Sequence, residues 1–132
     1  MKTIIQLSKI FIALLMASAC AGAPIKMPEK YNLDNQLENI PKISDFQLNS
    51  WESIDNQSVI LETSMNSYYL IILNMPDYNL PFSDIISINN ANGMIRPGYD
   101  DINGYVIYKI YKFKDYEQAK AIKAQLRGGS AK

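Results

Sequence analysis

Two adjacent carboxylates, Asp100 and Asp101, are the residues in this chain whose types and spacing could support catalysis or metal binding. They lie between Gly98 and Gly104, with Asn103 close by. Paired acids can exchange protons in general acid–base catalysis, and oxygen ligands can bind calcium. However, neighbouring side chains on an extended segment point in opposite directions, and the spacing does not fit an EF-hand loop. We therefore expect these aspartates to hydrogen-bond within their own turn.

Composition argues against several other kinds of site. The chain has 132 residues with no histidine and one cysteine, Cys20, so the usual zinc ligands and the Ser-His and Cys-His nucleophile pairs are missing. The 13 basic and 13 acidic residues form no basic stripe, and a signal peptide carrying Lys2 and Lys9 would leave the remainder slightly acidic. We expect no nucleic-acid partner, no cofactor, no metal and no enzymatic activity.

The first twenty residues have the pattern of an export signal. Lys2 and Lys9 form a positive start, and residues 10–19 form an apolar run that is too short to span a bilayer, which takes about 20 residues. Small residues close this run before Cys20, as a peptidase site requires. We interpret residues 1–19 as a signal peptide.

The position of Cys20 indicates a lipid anchor. Ala17-Ser18-Ala19-Cys20 resembles the lipobox of bacterial lipoproteins, in which the cysteine is acylated and the chain is cleaved just before it, although Ala17 replaces the usual leucine. Cleavage by an ordinary signal peptidase, giving a soluble periplasmic protein, is the alternative, but it leaves a lone thiol in an oxidising compartment. We favour lipidation. Because Ala21 is not the aspartate linked with inner-membrane retention, the resemblance implies the periplasmic face of the outer membrane.

The remainder of the chain predicts one small α+β domain. Small residues, prolines and charges at 20–33 indicate a lipidated N-terminus and flexible tether, followed by a globular domain at 34–128. Apolar alternation and turn residues predict strands near 46–52, 58–63, 68–73, 85–88, 94–96 and 105–113. We expect these strands to form a small curved antiparallel sheet of five or six strands. In the last strand, alternation predicts a shared face for Tyr105, Ile107, Tyr111 and Phe113.

A helix is expected after the last strand. Asp115 suits the N-cap position, and Gln118 follows three residues later as in a capping box. An apolar face then recurs at helical spacing, formed by Tyr116, Ala119, Ile122 and Leu126. This face is narrow, so we expect the helix to pack on the sheet rather than on a membrane.

Aromatic residues are the remaining candidates for a binding surface. Eight of the nine tyrosines follow position 67, and several fall in predicted strands, where alternation sends some inward and some outward. Tyrosine and tryptophan suit sugar stacking and protein interfaces. We take Trp51, Tyr69 and Tyr108, with Asp100, as candidate binding residues.

Several segments together resemble an uncharacterised family of small Gram-negative lipoproteins. The resemblance covers about residues 46–113 and rests on Trp51, Ile54-Asp55, Ser58-Val59-Ile60-Leu61, Tyr69-Leu70-Ile71-Ile72-Leu73, Leu80, Gly98-Tyr99-Asp100-Asp101-Ile102 and Ile107-Tyr108-Lys109-Ile110-Tyr111. It implies a lipoprotein and no particular chemistry. Members of that family often carry two cysteines, which align near Asp77 and Tyr105. This chain lacks both, so tyrosine-rich packing is expected to replace a disulfide between the crossing loop and the last strand.

Three functions fit these observations. The first is a non-enzymatic envelope lipoprotein that is held to the membrane through Cys20 and binds another envelope protein or a cell-wall component. The second is an envelope hydrolase that uses carboxylates such as Asp100 and Asp101, and the absence of histidine weighs against it. The third is an accessory subunit without a ligand. A contiguous exposed aromatic patch would favour the first over the third.

Overall fold

The fold is a curled antiparallel sheet with one C-terminal helix, as predicted. The computed structural model describes residues 27–90 and 92–129. The strands are β1 (Glu38–Ile40), β2 (Leu48–Ser53), β3 (Ser58–Thr63), β4 (Tyr68–Leu73), β5 (Ile88–Asn89), β6 (Asp101–Ile102) and β7 (Tyr105–Lys112). Helix α1 spans Tyr116–Gly129, and short 3-10 turns occur at Glu29–Tyr31 and Leu80–Phe82. Six strands follow the order β2-β3-β4-β7-β6-β5 and curl into a half-barrel, while short β1 also pairs with β7.

The central strands are buried on both faces, as their nearly continuous apolar runs predict. Helix α1 covers one face, where Ala119, Ile122 and Leu126 pack in a cluster with Leu70 and Ile72. A second cluster fills the opposite, concave face and contains Val59, Leu61, Ile71, Leu73, Leu80, Ile95 and Ile107. The domain therefore has two apolar cores separated by one sheet.

Strand β7 changes face partway along its length. Ile107 and Ile110 belong to the concave-face cluster, whereas Tyr111 and Phe113 belong to the helix-side cluster. The register with β4 shifts by one residue within β7, at Tyr108, which is the geometry of a β-bulge. The predicted shared face of Ile107 and Tyr111 is therefore wrong, because the extra residue inverts the alternation beyond it.

The segment before β1 packs against the sheet. Tyr31, Leu33 and Leu37 are buried in the helix-side cluster. The Tyr111 hydroxyl accepts a hydrogen bond from the Leu33 N–H at 3.0 Å and donates one to the Asp34 carboxylate at 2.8 Å. Residues 27–33, which the sequence predicts to be tether, therefore belong to the folded part. The predicted signal peptide and the predicted lipidation site lie outside the described residues.

Residues 74–87, which we call the crossing loop, connect β4 to β5. Leu80 inserts into the concave-face cluster, and the buried Asp77 accepts hydrogen bonds from the Asn79 N–H (3.1 Å) and the Asn103 side-chain amide (3.4 Å). These polar contacts tie the crossing loop to the β6–β7 turn. At the position where the resemblance implies a disulfide, these hydrogen bonds hold the loop together with Leu80 and Ile86, which pack in the same concave-face cluster as Tyr105 of the last strand.

Local signals locate the helix and the tight turns correctly. The Gln118 N–H donates to the Asp115 carboxylate at 2.8 Å, and the Gln118 side chain accepts from the Lys114 N–H rather than from Asp115 itself. Asn103 and Gly104 adopt positive φ angles of 56° and 88°, which suit a tight hairpin turn. The predicted strand at 85–88 is confined to Ile88–Asn89, and the segment near 94–96 contributes only a bridge between Ile95 and Ile43.

Candidate functional site

The adjacent aspartates are separated into two different turns. The buried Asp100 accepts a hydrogen bond from the Arg96 N–H at 2.6 Å, with the Arg96 Nε at 3.7 Å. Asp101 accepts from the Asn89 side-chain amide at 2.7 Å and from the Gly104 N–H at 3.1 Å. Each carboxylate accepts a hydrogen bond from a backbone N–H of its own turn, from four residues before Asp100 and three residues after Asp101, rather than in the two-residue spacing of an Asx turn. This arrangement gives no support to a hydrolase that uses these two acids together.

The aromatic candidates lie in two separate places. Trp51 in β2 and Tyr69 in β4 each pair with Leu61 in β3, so they lie on either side of Leu61. Both pack against the concave-face cluster. Tyr108 lies at the β7 bulge, half-exposed, beside Met27. The structure therefore does not assemble Trp51, Tyr69, Tyr108 and Asp100 into one site.

A groove lies between helix α1 and strands β2–β4 in the part of the chain that the structure describes. Its volume is about 390 Å³, which lies within the range of small-ligand and peptide-side-chain sites. Its lining combines aromatic, acidic and basic side chains: Ser50, Trp51, Glu52, Ile60, Glu62, Tyr68, Tyr116, Ala119, Lys120 and Lys123. Only Trp51 among these was a candidate from the sequence.

The acidic side chains of this groove are engaged by hydrogen bonds and one ion pair. Glu62 accepts hydrogen bonds from the Ser50 hydroxyl at 2.7 Å and the Tyr68 hydroxyl at 3.3 Å. Lys123 on helix α1 forms an ion pair with Glu52 on β2. Burial, together with the nearby Glu62 carboxylate, raises the pKa of Tyr68. The groove thus offers hydrogen-bond donors and acceptors of both charges without a dominant sign.

Two tyrosines form the aromatic end of the groove. The rings of Tyr68 and Tyr116 lie 5.6 Å apart at an angle of 46°, and the Lys120 ammonium lies 5.4 Å from the centre of the Tyr116 ring. Tyr68 comes from β4 and Tyr116 from the start of α1. Sequence patterns placed each residue in its own element, but they could not show that helix docking brings the two rings together.

Strand β2 borders the groove and forms an edge of the sheet. It pairs only with β3 among the described strands. The Ile54 N–H bonds to the Ser58 carbonyl, so in the alternating antiparallel ladder the backbone groups of Trp51 and Ser53 point away from β3. Arg127 of helix α1 donates to the Ser53 carbonyl at 2.7 Å and to the Ile54 carbonyl at 3.1 Å, which covers one end of this edge. Within residues 27–90 and 92–129, the Trp51 N–H and C=O and the Ser53 N–H face away from β3 and have no further strand to pair with.

A second polar cluster surrounds Asp55 at the turn between β2 and β3. Its carboxylate accepts hydrogen bonds from the Tyr31 hydroxyl and the Ser58 hydroxyl, both at 2.8 Å, and from the Gln57 N–H at 2.8 Å; Lys30 Nζ lies 3.1 Å away. Burial raises the pKa of Asp55, but these donors together outweigh burial and hold the pKa below its ordinary value. Burial and the bond to Asp55 raise the pKa of Tyr31. This cluster joins the N-terminal segment to the sheet.

Asp55 is expected to make folding stability sensitive to acid. Because its folded pKa lies below the unfolded one, its contribution is fully present above about pH 4 and is lost as the pH falls through the folded value. Asp55→Asn removes the acceptor for Tyr31 and Lys30, so we expect it to lower the free energy of unfolding at pH 7 by about 2 kcal/mol. Urea unfolding from pH 7 to pH 2 measures both effects.

Asp84→Asn, at an exposed position of the crossing loop, is the matched control for Asp55→Asn. We expect the Asp84 variant to follow the wild-type curve and the Asp55 variant to show a shallower loss of stability below pH 4. Parallel acid limbs for wild type and Asp55→Asn would contradict the role assigned to this carboxylate.

The described residues contain no cluster of three or more acids that could hold a metal ion. Within residues 27–90 and 92–129, no helix has the length and apolar character to cross a membrane.

The fold and its groove define a small α+β domain, a half-barrel sheet covered on one face by a C-terminal helix. The chain belongs to the family of unknown function DUF6491, which it matches over residues 1–129. This confirms the prediction of an uncharacterised family and carries no information about lipid attachment. No curated protein and no solved structure matches the chain.

Proposed function

We propose that this protein is a non-enzymatic binding module of the bacterial envelope. It is anchored through Cys20 at the periplasmic face of the outer membrane and binds an extended segment of a partner envelope protein. The observation that carries the binding role is the unpaired edge of β2 alongside the groove under helix α1. An extended peptide can add to such an edge through backbone hydrogen bonds while alternate side chains enter the adjoining groove.

The groove favours a polypeptide over a cell-wall sugar. Sugars bind by stacking on a free aromatic face, but the Tyr116 ring is already flanked by Tyr68 and by the Lys120 ammonium. Trp51 packs against the concave-face cluster. The Glu52–Lys123 ion pair and the Glu62 carboxylate suit a segment with both polar and apolar side chains.

Edge strands are normally protected against pairing, and β2 is protected only in part. Arg127 covers the carbonyls at its end, and a register shift between Leu48 and Ser50 interrupts its start. Between these points the strand contains no lysine or proline. The central part of β2 therefore keeps the capacity to accept one more strand.

In-cell photo-crosslinking tests this binding role. A benzophenone amino acid at the exposed Asn49 in β2 is expected to capture one specific envelope protein in the full-length chain. The same probe at Tyr99, an exposed residue outside the groove, is the control. Equal capture at the two positions, or none at either, would contradict the proposal.

A proline substitution provides the matched test of the backbone contacts. Because the Ser53 N–H points away from β3, Ser53→Pro removes a donor for an added strand without removing a bond of the existing ladder. We expect capture through Asn49 to fall at least tenfold while the melting temperature changes little. Glu52→Pro is the comparison: the Glu52 N–H points toward β3, so this change removes a bond of the existing ladder. We expect it to lower the melting temperature, unlike Ser53→Pro.

A further inference from the structure

The crossing loop exposes an unusual number of large apolar side chains. Tyr78, Phe82 and Ile85 are 72%, 87% and 82% exposed, and Met75 is 48% exposed. Single exposed apolar residues are common on protein surfaces, whereas four within eleven residues of one loop call for an explanation.

This exposure is not the result of a loosely held loop. Leu80, between Tyr78 and Phe82, is fully buried in the concave-face cluster. The Ser83 hydroxyl donates to the Asn79 carbonyl at 2.9 Å, and Asp77 is held by Asn79 and Asn103. The loop therefore fixes its own backbone and directs the neighbouring apolar side chains outward.

The crossing loop lies at the end of the sheet where the N-terminal segment enters the domain. The Gln57 side-chain amide lies 3.3 Å from the Met27 sulfur and donates to the Leu73 carbonyl at 3.0 Å. The Asp77 N–H donates to the Asn56 carbonyl at 2.7 Å. Met27, the β2–β3 turn and the start of the crossing loop are therefore neighbours. The β3–β4 turn, with exposed Met65, is at the opposite end of the same strands.

The distance from Cys20 to Met27 limits how far this end can lie from an anchor. Seven residue steps reach at most about 25 Å when fully extended. The inference rests on the proposed lipid anchor at Cys20. With that anchor in place, the end of the sheet that carries Met27 and the crossing loop stays within about 25 Å of the anchor.

We propose that the crossing loop is a membrane-contacting surface, with Tyr78, Phe82 and Ile85 inserted into the interfacial region of the bilayer that holds the anchor. Tyrosine and phenylalanine suit the boundary between head groups and acyl chains. The loop contains no lysine or arginine, and its acids are Asp77, which is buried, and Asp84. Contact is therefore apolar, and a zwitterionic bilayer is the surface it fits.

Depth-dependent quenching tests this contact. Because Cys20 is the only cysteine, the mature chain from Cys20 onward can be coupled there to a maleimide lipid and placed in phosphatidylcholine vesicles with brominated acyl chains. Two probes are compared in a Trp51→Phe background: Phe82→Trp in the crossing loop, and Met65→Trp at the opposite end, where the parent residue is 80% exposed. We expect at least twofold quenching of the Phe82→Trp probe and none of the Met65→Trp probe.

The outcomes separate this inference from the anchor itself. Chemical coupling supplies the anchor whether or not the cell acylates Cys20, so an unquenched Phe82→Trp probe overturns the membrane contact alone. Equal quenching of both probes also overturns it, because the domain would then lie on the bilayer without a preferred end. Failure of acyl labelling in cells overturns the anchor and leaves the quenching result intact.

Discussion

Leu70→Ala and Ile71→Ala are each expected to lower the free energy of unfolding by about 3 kcal/mol. The two residues are neighbours in β4 and both are fully buried, yet Leu70 packs in the helix-side cluster and Ile71 in the concave-face cluster. Each truncation leaves a cavity in a different core. The free energy of unfolding of native proteins is about 5–15 kcal/mol, so either substitution removes a large part of it.

Urea unfolding of the two variants, with Leu48→Ala as control, measures this effect. Leu48 lies on the edge strand and is 40% exposed, so its truncation is expected to cost less than about 1 kcal/mol. If one face of the sheet were solvated, one of the two β4 substitutions would lower the free energy of unfolding much more than the other. A difference of more than about 2 kcal/mol between them would contradict burial of both faces.

Cys20→Ser is expected to abolish acyl labelling and to move the protein from the membrane fraction to the soluble fraction. Each acyl CH₂ buried in the bilayer contributes about 0.8 kcal/mol, so two or three chains give stable attachment. The contact proposed for the crossing loop is not expected to hold the protein on the membrane without these chains. Labelling with a fatty-acid analogue, followed by fractionation, measures both changes. Unchanged labelling of the serine variant would refute lipidation at this position.

Moving the thiol provides the control for Cys20→Ser. In the Cys20→Ser background, Ser130→Cys restores one cysteine to the chain but places it far from the lipobox-like residues Ala17-Ser18-Ala19. We expect this double variant to remain unlabelled and soluble. Labelling at the new position would show that any thiol in the chain reacts. The position of Cys20 after Ala17-Ser18-Ala19 would then no longer support its lipidation.

Local sequence signals accounted for much of the fold. Residues 58–73 carry two apolar runs around a turn, and the structure forms β3 and β4 there. Asp115 and Gln118 located the start of the helix because capping depends on residues three positions apart. Such features depend on short-range geometry, which residue type largely decides.

Features that depend on contacts between distant segments could not be predicted in the same way. The bulge at Tyr108 inverts the facing of β7, and nothing in the alternation of residues 105–113 indicates where the extra residue is accommodated. The prolines and charges before Leu33 predict a tether, yet the Leu33 N–H donates to the Tyr111 hydroxyl, 78 positions further along the chain. Burial of these residues depends on partners that local patterns do not reveal.

The sequence by itself determined the α+β class, the paired strands β3 and β4, the capped helix and the expectation of a lipid anchor at Cys20. These follow from hydrophobic periodicity, turn chemistry and the position of one cysteine, all of which are local properties. Only the tertiary structure decided that Asp100 and Asp101 serve separate turns, that Tyr68 and Tyr116 meet in a groove, and that Phe82 of the crossing loop is exposed. The physical reason is that these arrangements join residues far apart in sequence, and their positions are decided by how the helix and loops pack on the two faces of one sheet.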